Sequence, residues 1–261
     1  MLWKEKELIS TRALTKNKII SAIATLIFYG LLVFAIIYMY EGKNNFNISV
    51  IASRSNVIMK GFFNTIFISV IVLVVSIILG FFLYLAVSSK IYFLKYVGNT
   101  FSDIIFGSPL VVFIIVMYYF IAAPLDFTYP FVVGVITLSL YMMPYMKNVF
   151  EGAMKSIDEL QKQAMTVFGF TTYQKYRYII IPQLMKIIIP PLIGNLTFVI
   201  KGSSLLYFIS VPELFYQIEA VKSATFGSVE GYFVMFILYL LITIPLIRLT
   251  KFFEKKVASW N

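Results

Sequence analysis

The 261-residue sequence contains no cysteine and no histidine. That removes disulfides, thiolate nucleophiles, imidazole acid–base chemistry and the usual zinc sites. Charge is also scarce: Asp, Glu, Lys and Arg together make 13% of the chain, against about 25% in soluble domains. No glycine-rich phosphate loop is present, and no pair of carboxylates lies within an apolar run. Little is left for general acid–base or metal chemistry. The chain reads as a non-enzyme, and if ATP drives it, another chain must bind the nucleotide.

What the chain has in excess is apolar surface. Hydrophobic residues make 60% and aromatic residues 18%, and the mean hydropathy is +0.88. This is the composition of an integral membrane protein, and aromatic belts and helix packing account for the Phe and Tyr without a cofactor. Charge-free windows place six helical spans: Ile19 to Tyr40, Gly61 to Ser89, Ile104 to Leu125, Phe127 to Met146, Ile187 to Ile200, which continues apolar past Lys201 to Ile209, and Gly231 to Ile247. The windows suit the roughly 17–25 residues a crossing helix needs, and helix is the default because lipid cannot satisfy backbone groups. The first span is too long, and lacks the small-residue cleavage site, for an ordinary removed signal peptide.

The net charge of +10 follows from topology rather than from nucleic acid, which is not among the expected partners. With a cytoplasmic N-terminus, 17 Lys and Arg lie inside; Lys43, Arg54, Lys60 and Lys222 lie outside, and Lys201 sits within a span. Both termini are therefore expected in the cytoplasm. The expected organisation is a cytoplasmic segment 1–18, a first helix 19–40, a transmembrane domain 61–250 with a cytoplasmic loop 147–186, and a tail 251–261.

That loop is long for a structureless connection, so it should be folded and have a task. "SIDE", Ser156 to Glu159, fits a capping box with Ser156 as cap. Ile157, Leu160, Ala164 and Val167 or Phe168 recur at helical spacing. Gly169 falls where a left-handed cap belongs. Thr171 or Thr172 starts a second short helix, expected to end at Pro182. The residues alone leave two readings open: the apolar stripe packs on the protein's own helix ends or the lipid interface, or it docks in a groove of a soluble partner.

The stretch "EGAMKSIDELQKQAMTVFGFTTYQKYRYIIIPQ" resembles the signature loop of the membrane subunits of ATP-binding-cassette importers. In the polar amino-acid branch of that family, a Pro follows the loop glycine by thirteen residues and a Gln comes next, as Pro182 and Gln183 follow Gly169 here. Three further patches are similar to the same branch: Gly61 and Thr65 in "GFFNTIFISV"; Gly107, Ser108, Pro109 and Leu110 in "FGSPL"; and Asn195, Lys201, Ser204, Leu205, Glu213 and Leu214 in the stretch that begins "GNLTFVIKGSS". The chain departs from the pattern at Gln163 and Met165 in the Glu-Ala-Ala triplet, and at Phe106, Asp158 and Gly202.

The resemblance implies an all-α permease with a five-helix core plus one N-terminal helix, carrying polar amino acids inward across a bacterial plasma membrane. It implies coupling to a separate ATPase dimer through Glu151, Gly152, Ala153, Ile157, Leu160, Gln163, Ala164, Gly169 and Pro182. It implies a second permease subunit, identical or homologous, and an extracytoplasmic binding protein. ATP and Mg would sit on the ATPase, with no cofactor on this chain.

Lys201 is the charge inside a span, where it either faces a cavity or partner or snorkels to the outer interface. With Asn195, Ser203, Ser204, Ser108 and Pro109 it forms the expected substrate pathway, and Glu213 is a candidate ion-pair partner. Ser203 and Ser204 equally suit backbone bonding or close helix packing. Pro190-Pro191 is expected to kink its helix. Glu213 and Glu219 are candidate outer-loop contacts, or simply solvated. The rivals are a stand-alone secondary transporter or channel using Lys201 as a pathway charge, and a membrane scaffold.

Overall fold

The computed structural model describes residues 47–258, together with 19–21, 23–25, 27–31, 34, 35 and 38. The segment 1–18 and most of the expected span 19–40 beyond Leu31 lie outside the described residues; within it, Ile19–Leu31 forms an apolar helix. Met1–Ser49 forms one unit and Val50–Asn261 a second.

The second unit is helical: α1 Ser55–Ser88, α2 Tyr92–Gly107, α3 Leu110–Leu125, α4 Pro130–Lys155, α5 Glu159–Val167, α6 Thr172–Ile209, α7 Leu214–Thr225 and α8 Ser228–Ala258. Four of these, α1, α4, α6 and α8, are long and apolar enough to cross a membrane, and α2 with α3, counted together as one bent span, gives a fifth. Residues 251–258, expected as a tail, continue α8.

Lipid tails are as apolar as leucine, so helices here associate through close packing and not through hydrophobic burial alone. The sequence supplies this on α1, where Gly61, Thr65, Ser69, Val72, Ser76 and Gly80 recur every three or four residues and are buried. The hydroxyls of Ser69 and Ser76 bond back to Thr65 O and Leu73 O, so a polar stripe sits inside the protein at little cost. Gly80 lets α4 come close: a Cβ there would lie 2.3 Å from the Cβ of Met146 and 3.0 Å from Met143 O. Around this contact Ile68, Val72, Leu138, Met142, Met146, Val199 and Leu206 form one core. A second core joins Phe62 of α1 to Leu214, Ile218 and Val221 of α7 and to Met235 of α8.

Prolines account for two departures from expectation. The window Ile104 to Leu125 is not one helix: α2 and α3 meet at 114°. Ser108 and Pro109 are both extended, with ψ of 134° and 135°, and Ser108 is so because a residue before proline is driven out of the helical region. Pro182, in contrast, does not end its helix. The chain runs from Thr172 to Ile209, with a wide π-type segment Lys175–Ile180 just ahead of the proline. Another such segment, Val116–Ala122, lies just ahead of Pro124. Proline removes one i→i−4 bond and crowds the carbonyl four residues back, and widening the turn by one residue relieves both. Pro190 and Pro191 likewise lie inside the α-helical segment Ile181–Ser203.

Candidate functional site

Two regions gather the residues singled out in the sequence. The first is the loop expected in the cytoplasm. α4 extends to Lys155, so Ser156 closes that helix instead of opening the next, its hydroxyl donating to Ala153 O at 2.6 Å. Asp158 caps α5 in its place, accepting from the Leu160 amide at 2.9 Å. Glu159 pairs with Lys162 at 2.9 Å, and that carboxylate holds the exposed Lys162 ammonium above its usual pKa. Glu151 is gripped by Lys147 and Lys155, at 2.9 and 2.6 Å.

The expected apolar stripe divides between two sides. Ile157 and Met165 point inward and are buried, and Ala153 is buried with them. Leu160, Val167 and Phe168 face outward, at 71%, 85% and 80% exposure. Gln163, Ala164 and Gly152 are exposed as well. Gly169 adopts φ +70°, and the bonds Phe170 N–H to Met165 O and Gly169 N–H to Thr166 O close α5 as a left-handed cap. Thr171 and Gln174 then form a reciprocal capping box that starts α6. The result is a braced, half-anchored projection with an apolar tip.

A Cβ at Gly169 would meet no atom within 4 Å. Its requirement is therefore conformational and not steric. Gly169→Val should lower the melting temperature of the purified chain by about 2–8 °C, from a cost of roughly 1–2 kcal/mol. Gly169→Asn should lose less than half of that, since Asn tolerates the left-handed region. Equal losses would contradict the conformational account.

The second region lies at the opposite end. Thr65 and Glu213, 148 positions apart, meet there. Glu213 caps α7 by accepting from the Tyr216 amide at 2.8 Å. It also accepts from Thr65 Oγ1 at 3.3 Å and from the Tyr239 hydroxyl at 3.0 Å. Thr65 Oγ1 in turn accepts from the Leu214 amide, and Asn64 donates to Pro212 O. Gly61 completes the seat: a Cβ there would lie 2.8 Å from the Gln217 side chain. In this turn outside the spanning helices, withdrawal from water pushes the Glu213 carboxyl up, to about 7, and the donated bonds oppose that shift.

Glu213 is thus neither an outer-loop contact nor the partner of Lys201; it is fully buried and its oxygens are occupied. Glu219 is partly exposed and accepts from the Lys222 ammonium at 2.8 Å. The Lys222 ammonium lies 3.2 Å from the Tyr232 ring centre, and its Cγ and Cδ cross the space that a Gly231 side chain would fill. Sequence periodicity carried no signal for this lock, because its members belong to different helices.

The expected pathway residues are placed less uniformly. Lys201 is exposed on α6, and its ammonium makes no hydrogen bond or ion pair among the described residues. Phe198, one turn before it, is also exposed and stacks on Tyr145, which packs edge-on against Phe106. Ser108 sits at the α2–α3 bend, where its carbonyl accepts from the Tyr141 hydroxyl at 3.0 Å; Pro109 is exposed beside it. Asn195 points to Met146 Sδ at 3.7 Å. Ser203 is buried and bonds Ile200 O, and Ser204 bonds Lys201 O. Both serines therefore satisfy themselves on their own helix. No group of metal-ligating side chains occurs among the described residues.

The family described as "binding-protein-dependent transport system inner membrane component" matches residues 76–259. The chain is 30% identical over 218 residues to the probable glutamine ABC transporter permease protein GlnM of Bacillus subtilis (strain 168), covering 82% of this chain and 99% of that one. It is 26% identical to the glutamine transport system permease protein GlnP of Escherichia coli (strain K12), over 81% and 98% of the two chains. Among solved structures, an amino acid ABC transporter crystallised with histidines superposes with a TM-score of 0.73 at 23% identity, covering 82% of this chain and 100% of that chain.

Proposed function

The chain belongs to the family of binding-protein-dependent transport system inner membrane components, and from that membership we propose that it forms the transmembrane pathway of an ATP-driven importer of polar amino acids. The relatives it resembles over nearly their whole length are glutamine and amino-acid permeases. The substrate is accordingly a small zwitterion, and the driving nucleotide is bound by another chain.

The observation that carries this reading is the cytoplasmic projection. Leu160, Val167 and Phe168 are held outward on a short helix whose other side is anchored and whose ends are capped. An apolar tip so braced is suited to seat in a groove of a soluble ATPase. Nucleotide-driven closure of an ATPase dimer would then bias two arrangements of the helices through that seat. Two permease chains would enclose the pathway, with the exposed Lys201–Phe198 face of α6 on its wall and a binding protein delivering substrate from outside.

The test is uptake of radiolabelled amino acids by cells with and without the gene. Accumulation of a polar amino acid that is lost on deletion, abolished by ATP depletion and indifferent to an uncoupler is the expected result. Uptake that collapses with the uncoupler would favour the stand-alone transporter using Lys201.

Lys201→Gln should raise KM about ten- to hundredfold, the worth of one charge-assisted contact to a carboxylate. The protein level should not change, because the ammonium has no partner to lose among the described residues. An unchanged KM for every transported amino acid would remove Lys201 from the pathway.

A further inference from the structure

On the cytoplasmic side a cleft of about 390 Å³ opens between the end of α1, the first turn of α2, the end of α4 and α5. Four lysines line it, Lys95 of α2, Lys147 and Lys155 of α4 and Lys162 of α5, with the single carboxylate of Glu151. Repulsion makes such convergence unfavourable unless negative charge enters. Glu151 answers only part of it, since Lys147 and Lys155 share that one carboxylate. Lys162 pairs with Glu159, which does not line the cleft. The Lys95 ammonium makes no hydrogen bond or ion pair among the described residues. Ser88 and Tyr84, both hydroxyl-bearing, also line the cleft.

We propose that this cleft binds a phosphate-bearing anion. Lysines on flexible stems act as point charges that converge on a compact, multiply acceptor-bearing group, and the cleft is of the size in which ligands are held. The surroundings favour a phospholipid headgroup as the source. Tyr92, Phe93 and Tyr96 are exposed on the same turn as Lys95, which is the arrangement of an interfacial aromatic belt. Headgroups then lie at the mouth of the cleft, and cytoplasmic leaflets carry anionic lipid that attracts clustered lysines. A soluble phosphate compound would meet the same lysines from the cytoplasm. Either anion, bound between α2, α4 and Lys162, would fix the angle at which α5 projects.

The experiment uses the detergent-purified chain with whatever subunits accompany it, stripped of lipid. Phosphatidylglycerol, phosphatidylcholine and inorganic phosphate are added separately, with binding read by native mass spectrometry and by thermal melting. Phosphatidylglycerol should bind and raise the melting temperature, while phosphatidylcholine, whose charge is internally balanced, should not. Lys95→Gln should weaken binding about fivefold, and Lys95→Gln with Lys155→Gln about fivefold more. Lys95→Arg should retain it. Because the Lys95 ammonium has no partner among the described residues, the lipid-free melting temperature of the Lys95→Gln variant should match wild type, which separates loss of binding from loss of fold. If inorganic phosphate protects and the lipid does not, with the same dependence on Lys95, the site stands and its source is soluble. Absence of binding by both anions, or binding that the double variant leaves unchanged, would overturn the proposal.

Discussion

Replacing Phe168 with glutamate is expected to reduce amino-acid uptake to background while the amount of the chain in the membrane stays at the wild-type level. The two halves of that expectation rest on different observations. Phe168 is 80% exposed just after α5, so the fold loses almost no packing when the ring is removed. If the ring seats in an ATPase groove, however, the glutamate must be desolvated there without a partner. That costs several kcal/mol, enough to weaken the contact about a hundredfold or more. Phe168→Leu should retain most uptake, since it keeps an apolar side chain in the groove. Quantifying the chain by immunoblot beside the uptake assay separates coupling from stability. Wild-type transport by the Phe168→Glu variant would mean that the apolar tip packs only against lipid.

The other large effect is expected at the opposite end of the molecule. Glu213→Ala should lower the melting temperature of the purified chain by about 10 °C. The carboxylate accepts from the Tyr216 amide, Thr65 and Tyr239, and all three donors would be left facing a cavity. Each orphaned buried donor costs about 1–3 kcal/mol, so three together cost at least about 3 kcal/mol, a large part of a typical stability margin. Tyr239→Phe removes one donor and leaves the acceptor satisfied by the others, so it should cost no more than about 1.5 kcal/mol. A Glu213→Ala chain melting within about 2 °C of wild type would show that the cap is not a keystone. The prediction also separates the two regions: Glu213 variants should fail by losing protein, and Phe168 variants by losing transport.

The sequence announced most clearly those features whose cause is local. Gly169 was readable because a left-handed cap admits few residues, and the structure puts it at φ +70°. Thr171 and Gln174 were readable because a capping box is defined within four residues. Composition alone made the fold all-helical and membrane-embedded, and the extra first helix remains an expectation for the residues outside the described set. Other features depended on balances that a short window does not contain. Ser108-Pro109 bore a break signal, but an unbroken apolar run around it suggested one straight span where the structure has a 114° bend. Pro182 bore the same signal, and a π-type turn absorbed it. The cap moved from Ser156 to Asp158 because α4 extends to Lys155, beyond the expected membrane boundary at Met146.

The candidate sites follow the same division. The projection was legible as an amphipathic motif, but which of its apolar residues face inward was not. Ile157 and Met165 are anchored by their neighbours in space, while Leu160 and Phe168 are left outside. Glu213 looked like an outer-loop acid because its partner Thr65 is 148 residues away. Gly61 and Thr65, noted first as an isolated pattern, are explained by the same contact. Their role is to admit Gln217 and to cap the start of α7.

The most direct test of the coupling account is affinity purification of the tagged chain in mild detergent, with mass spectrometry of what remains bound, for wild type and the Phe168→Glu variant. The account predicts a co-purifying subunit with a P-loop in the wild-type sample, and its loss from the variant while the chain itself stays folded. A stable wild-type preparation with no nucleotide-binding partner, or a variant that keeps that partner in full, would contradict it.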